Sequence, residues 1–402
     1  MSYVLLPLSR LELGRRLPID VWDAKGHLLL KKGHPIDSQH HKEILSAHQA
    51  SITSSDAKAW QKSYERMIHN LLQNGATVDV IARAGLPSEL LPTDYMKETE
   101  VIGGWLDLQE VLRGLLYQAE AAISPLQRLA GIEKKSLALL KSDPDQGLFV
   151  LFQALAQASL GYCATHALLV AVVCELTAEK LALPTPLKRS LFRAALVMNI
   201  GMARPQDCLA AQSTMLNESQ KKLIQAHPQQ SLEILQNFGV IDKNELDLVR
   251  WHHELDESSG LPENIACRRI LRMADSFVAK MAARKTRLAM SPLGAAKSIF
   301  LGAPADSASL GAAMAAAIGF YPPGTYVQLI NGEKAVSVAQ GAQANTPHVV
   351  SIINAGGMPL NQYLYRDTSD PRFSIRAPLN AEKIRVNVSL DKVLKVRMAH
   401  TV

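Results

Sequence analysis

Leu191-Phe192-Arg193-Ala194-Ala195-Leu196-Val197-Met198-Asn199-Ile200-Gly201-Met202 is the stretch on which the fold turns. Its first seven residues are mostly apolar and free of helix breakers, and Gly201 supplies a stop, so an apolar helix is expected to end in this segment. Before it lies another apolar stretch, Thr165–Ala182, carrying His166, and after it come His227 and the adjacent pair His252-His253. Histidines placed on or beside apolar helices are the pattern to be explained.

Working outward, the region from Gly147 to about Leu301 reads as a dense helical domain. Its periodicity and punctuation predict helices over Phe149–Tyr162, Thr165–Ala182, Pro186–Met198, Glu218–Gln225, Gln230–Phe238, Lys243–Leu255 and Cys267–Lys285, with Pro228 separating the fourth from the fifth. Residues 1–56 form a small β-rich module: Leu17–Trp22 and His27–Leu30 flank a turn at Asp23–Gly26, and Ser38 caps a short helix to about Ala47. Residues 57–145 are helical in period, and Trp105, Leu108, Val111, Leu112, Leu115 and Leu116 mark one apolar face, so this is a helical linker or interaction region. From residue 319 the period changes again. Thr325–Ile330, the hairpin signal Asn331-Gly332, Ala335–Val338 and Val349–Ile353 predict a β-rich tail to residue 402. The fold class is therefore mainly α: a helical domain over 146–318 between two small β-rich modules.

Composition narrows the function classes. A length of 402 residues implies two or three domains. The net charge of +6 is spread without any basic run, which argues against a nucleic-acid groove. Cys163, Cys174, Cys208 and Cys267 include no C-x-x-C pair and read as buried thiols of a reducing compartment. The N-terminus shows no signal pattern, and the longest apolar run, Ala167–Cys174, falls short of the roughly 20 residues of a membrane helix, so a cytoplasmic chain without a span is expected. The oligomeric state is left open.

The chemistry-bearing residues are His166, His227, His252, His253 and Asp275. Asp275 lies beside an apolar stripe of Ile270, Ala274, Phe277 and Met281. A carboxylate there needs a partner, because an unpaired buried charge is costly. Four imidazoles and a carboxylate on helices can converge on a cation. Each also has a plainer reading, as a hydrogen-bonded core histidine or a solvent-edge aspartate, and spacing alone leaves both open.

An ordered series of motifs over about 145–340 resembles the bacterial HD-GYP family. Tyr162-x-x-x-His166 with Val170 is similar to the family's first histidine helix. Ala194–Met202 aligns with its A-A-L-L-H-D-I-G-K. His227-Pro228 with Ile234-Leu235 matches H-P-x-x-x-x-x-I-L. His252-His253-Glu254 and Ser259-Gly260-Leu261-Pro262 match H-H-E-R-x-D-G-S-G-Y-P. Arg272–Phe277 matches the A-D-x-F helix, and Arg284 and Arg287 the R-P-Y-R.

The resemblance implies an all-helical HD-type domain, whose family members hydrolyse cyclic di-GMP with metal ions, usually iron or manganese. It implies that His166 and Asp275 serve one metal and His227, His252 and His253 a second. Arg284 and Arg287 would bind phosphate or nucleotide, and Gly260, Leu261 and Pro262 would belong to the signature loop. The departures fall at the centre. Met198 stands for the family's histidine, Asn199 for the bridging aspartate and Met202 for a phosphate-contacting lysine. An asparagine amide is a weak ligand for a hard cation, and a thioether suits copper(I) instead of iron or manganese. In the loop, Leu255 replaces an arginine, Glu257 an aspartate, Ser258 a glycine and Leu261 a tyrosine. The expectation is a degenerate, catalytically impaired regulatory or interaction module of cyclic di-GMP signalling. It would hold one divalent metal (iron or manganese, with zinc as an alternative) or none, and engage protein partners or the nucleotide. The competing expectation is a phosphodiesterase working with a mononuclear site.

Overall fold

The computed structural model describes residues 3–23, 26–73, 80, 84–90, 101, 103–157, 160–254, 259–282, 289–300, 308–384, 386 and 388–400. The chain forms two compact units, Met1–Thr99 and Glu100–Val402.

In the first unit, β1 (Tyr3–Leu5), β2 (Val21–Trp22), β3 (Leu28–Leu30) and β4 (Ser51–Thr53) make an antiparallel sheet in the order β1-β4-β2-β3. Helix α1 (Gln39–Ala47) starts as its sequence predicts, with the Ser38 hydroxyl accepting from the His41 N–H at 3.1 Å. Ile19, Val21, Ile36, Leu45, Ile52 and Trp60 form the core, Trp60 being contributed by α2 (Ser54–Gln73). The predicted helical region 57–145 is thus divided, because α2 belongs to this unit.

The second unit opens with α3 (Trp105–Gln118) and α4 (Pro125–Ser142), which join the helical core instead of standing apart. The predicted apolar face of α3 is buried along Trp105, Leu108, Leu112, Leu115 and Leu116. Trp105 lies so close to Gly147 that a Cβ there would meet its ring at 2.9 Å. Then follow α5 (Pro144–Leu155), α6 (Tyr162–Lys180), α7 (Thr185–Val197), α8 (Ala203–Ala211), α9 (Glu218–Asn237), α10 (Lys243–Trp251), α11 (Ile265–Met281), α12 (Pro292–Phe300) and α13 (Ala308–Ile318). Helix α6 is the axis. It packs against α3, α5, α7, α8, α11 and α13, which explains why nearly every one of its positions is apolar. It is also long and apolar enough to cross a membrane by length and composition, and most of it is buried inside this domain.

Several helix boundaries differ from the sequence expectation, and two of the differences bear on the site. The first predicted helix ends at Leu155, and α6 begins only after Gly161, whose φ of +88° an L side chain rarely adopts. The helices predicted on either side of Pro228 are one helix, α9, with the proline inside it. The reason lies in the site itself, described below.

The tail is a five-stranded antiparallel sheet in the order β8-β7-β6-β5-β9, from β5 (Tyr326–Leu329), β6 (Lys334–Ala339), β7 (His348–Ile353), β8 (Pro359–Asp367) and β9 (Ile375–Leu379), followed by α14 (Leu390–Met398). The Asn331-Gly332 turn joins β5 to β6 as predicted, with Gly332 at φ +89°. The sheet is fastened to α5. Phe149 enters its core, Gln153 donates to the Gly324 carbonyl at 2.6 Å, and Arg397 forms a two-armed ion pair with Asp143 at 2.6 and 2.7 Å.

Candidate metal centre

Helix α9 and the C-terminal end of α10 bring His227, His252 and His253 together, with one ring nitrogen from each lying within 4.8 Å of the others. The geometry begins with Pro228. Proline has no N–H, so the carbonyl four residues earlier, that of Ile224, loses its helical donor. His227 Nδ1 lies 2.5 Å from that carbonyl oxygen and fills the vacancy. This is why the proline is tolerated inside α9, and it fixes the tautomer: Nδ1 carries the proton and donates, and Nε2 is left as a lone pair. His252 repeats the arrangement at the end of α10, where terminal carbonyls also lack helical donors. Its Nδ1 donates to the Val249 carbonyl at 2.7 Å. The two Nε2 atoms then face one another at 3.1 Å. With both Nδ1 atoms protonated, no proton lies between them, and two opposed lone pairs this close call for a cation.

Both rings are buried, and burial holds them neutral. The His227 pKa falls to about 4, and that of His252 to about 3, with His253 and His227 nearby adding to the effect on His252. Neutral imidazole held through its second nitrogen by a carbonyl is how proteins present histidine to a metal. His253 is exposed, its ring 4.1 Å from that of His252, and Arg272 of α11 fixes its backbone by donating to its carbonyl at 2.6 Å.

His166 and Asp275 sit differently. His166 Nε2 lies 2.8 Å from Asp275 Oδ1, and its Nδ1 lies 3.0 Å from the Tyr162 hydroxyl. Both ring nitrogens of His166 therefore have protein partners. Burial works to raise the Asp275 pKa, but the His166 bond and charge, with His252 and His253, bring it down to about 2, so the carboxylate is ionised. Asp275 is not among the groups that close on the three histidines.

Met198 and Asn199 are both buried at the end of α7. Ser231, one turn after His227, pins this ending to α9: its hydroxyl donates to the Met198 carbonyl at 2.8 Å and accepts from the Gly201 N–H at 3.0 Å. A Cβ on Gly201 would meet Ser231 N at 2.9 Å and the His227 carbonyl at 3.0 Å, so only glycine allows this approach. Met202 is buried as well. Sequence reading overlooked Ser231, although its spacing of four from His227 places it on the same helix face.

The signature turn survives as structure. Gly260 has φ +71°, and a Cβ there would sit 2.4 Å from Asp247 Oδ1. Asp247, on α10, accepts from the Leu261 N–H and from the Asn264 amide, both at 2.8 Å. Pro262 starts the short turn of helix that leads into α11. Leu255, Glu257, Ser258, Arg284 and Arg287 lie outside the described residues.

The donor set fits a single cation held by His227, His252 and His253, the first two having their Nε2 atoms at the spacing of two ligands on one ion. Among the described residues it does not fit a metal pair. Met198 and Asn199 supply no anionic oxygen to share between two ions, and Asp275 is turned to His166.

The class is an all-helical domain with a histidine cluster that could hold a metal ion. Residues 150–304 match the HD domain family. A cyclic di-GMP phosphodiesterase of Pseudomonas aeruginosa is 25% identical over 201 residues, 48% of this chain and 49% of that protein. A 3'3'-cGAMP-specific phosphodiesterase of Vibrio cholerae is 30% identical over 145 residues, 35% of this chain and 31% of that protein. The chain thus spans about half and about a third of these relatives' lengths. An HDGYP protein of Bdellovibrio bacteriovorus aligns with 78% of this chain and 98% of its own at 13% identity, with a TM-score of 0.41. These matches support an HD-domain assignment for residues 150–304 and a likeness to HD-GYP proteins.

Proposed function

We propose that this chain is a catalytically impaired HD-GYP protein that acts as a regulatory or interaction module in cyclic di-GMP signalling, binding the nucleotide or a protein partner in the cytoplasm. The observation that carries this reading is the pair Met198-Asn199, buried at the end of α7 with the Met198 carbonyl held by Ser231 of the His227 helix, at the position where the family resemblance puts a shared carboxylate. Two divalent cations held a few ångströms apart repel strongly, and a bridging anion makes the pair tolerable. A neutral amide and a thioether do not do that. Phosphodiester hydrolysis that depends on a metal pair loses both the bridging nucleophile and the clamp on the leaving oxygen.

The convergence of His227, His252 and His253 supports a second reading, a phosphodiesterase that works with one ion. A single ion can still lower the pKa of a bound water. Metal content, cyclic di-GMP binding and cyclic di-GMP turnover measured on one preparation separate the two. Nucleotide or partner binding without turnover supports the impaired module. Turnover lost in His252→Ala supports the second reading and removes the first.

A further inference from the structure

We infer that the histidine cluster is a mononuclear site selective for a late first-row divalent cation of zinc's class over manganese and iron, with Asp275 excluded from the ligand set. The inference deepens the reading above, since it rests on the absence of a shared carboxylate.

The first argument is the opposed lone pairs. His227 and His252 present Nε2 atoms 3.1 Å apart, each with its Nδ1 proton committed to a carbonyl oxygen. Two ligands on one ion at metal–nitrogen distances of about 2.0–2.1 Å are separated by about 3.1–3.4 Å for angles near tetrahedral. The cradle therefore has the spacing of a loaded site, and both rings are locked by buried backbone.

The second argument is charge and softness. Among the described residues, the ligand atoms within reach are three imidazole nitrogens, all neutral donors when they bind metal. Asp275 is the carboxylate of this neighbourhood that the family resemblance assigns to metal binding. Its Oδ1 is committed to His166, and His166 is braced in turn by Tyr162. Asn199 adds no charge. Hard manganese draws much of its affinity from carboxylate oxygens, whereas imidazole suits zinc, copper, nickel and iron, so the preference over iron rests on the affinity order of the divalent ions. For a given nitrogen site, affinity rises from manganese through iron and cobalt towards nickel and copper, with zinc below copper. A site stripped of its carboxylates shifts in that direction. Water from the exposed His253 side would complete the shell.

The test uses the full chain, stripped by chelator and titrated separately with Zn²⁺, Co²⁺, Mn²⁺ and anaerobic Fe²⁺. Stoichiometry, affinity, thermal midpoint and, for Co²⁺, the visible absorption of a nitrogen-coordinated ion are read. One zinc per chain is expected, bound at least about tenfold more tightly than manganese or iron. Asp275→Asn, which keeps an oxygen to accept from His166, should retain zinc within about threefold, and His252→Ala should lose it by at least about a hundredfold. Circular dichroism confirms that both variants are folded. Two manganese or iron ions per chain, equal affinity for manganese and zinc, no zinc binding, or loss of zinc in a folded Asp275→Asn would each overturn the inference. Turnover of cyclic di-GMP by the one-zinc protein would instead overturn the proposed function and leave the metal assignment standing.

Discussion

Replacing Pro228 by alanine should stabilise the metal-free protein and weaken its metal site at the same time. An alanine at this position restores an N–H directed at the Ile224 carbonyl, the group that His227 Nδ1 now holds at 2.5 Å. Proline inside a helix costs about 3 kcal/mol relative to alanine. Proline also stiffens the unfolded chain, which returns about 0.4–1 kcal/mol. Losing the His227 bond as an independent interaction costs about 1 kcal/mol. The net expectation is a gain of about 1–2 kcal/mol in chelator, read from urea unfolding. The His227 ring, no longer held by its second nitrogen, can rotate or change tautomer, and loss of such an outer contact typically costs about 10–100-fold in metal affinity. Zinc titration of the same variant reads that loss. A variant that gains stability but binds zinc as tightly as the parent would show that the carbonyl does not orient His227. One that loses stability would show that the proline is not under helical strain.

Other consequences follow from the same contacts. Gly201→Ala should destabilise the protein by about 1–3 kcal/mol in chemical denaturation, because its Cβ would press on α9 backbone at 2.9 and 3.0 Å. Glu245 is buried on α10, and burial, with Asp242 and Glu133 adding to it against the opposing Arg193, raises its pKa to about 7. A carboxyl raised in the folded state favours folding below its unfolded value, and that contribution is lost as pH rises through 7. The parent should therefore lose on the order of 3 kcal/mol at most between pH 5 and 8.5, and Glu245→Gln should flatten that slope in pH-resolved unfolding. The double change Met198→His with Asn199→Asp should raise metal content from one ion per chain towards two. Unchanged stoichiometry in a folded double variant would count against these two residues as the cause of the lost pair.

The helical domain was legible because its motifs report local physics. α6 reads as apolar all round because it is wrapped on all sides, and Asn331-Gly332 reads as a turn because only that chemistry suits the left-handed position at Gly332. Pro228 misled because a helix-breaking rule describes the backbone alone, and here a side chain repairs the missing bond. The helix end at Leu155 and the fresh start at Tyr162 have only Gly161 as a local sign. The sequence left open whether α3 and α4 dock on the central domain, because an amphipathic face does not name its partner. At the site, the convergence of His227, His252 and His253 followed the motif order. The His166–Asp275 bond joins residues 109 positions apart, so nothing local announces it. Strands β8 and β9 alternate weakly, with most of their residues only partly covered, and carry little signal.

The central claim is that the buried Met198-Asn199 pair leaves no working metal pair. It is tested most directly by a cyclic di-GMP hydrolysis assay on the purified full chain, supplied in turn with iron, manganese and zinc, with His252→Ala as the control. No turnover above that control is expected with any metal. Turnover with iron or manganese that vanishes in His252→Ala would contradict the claim.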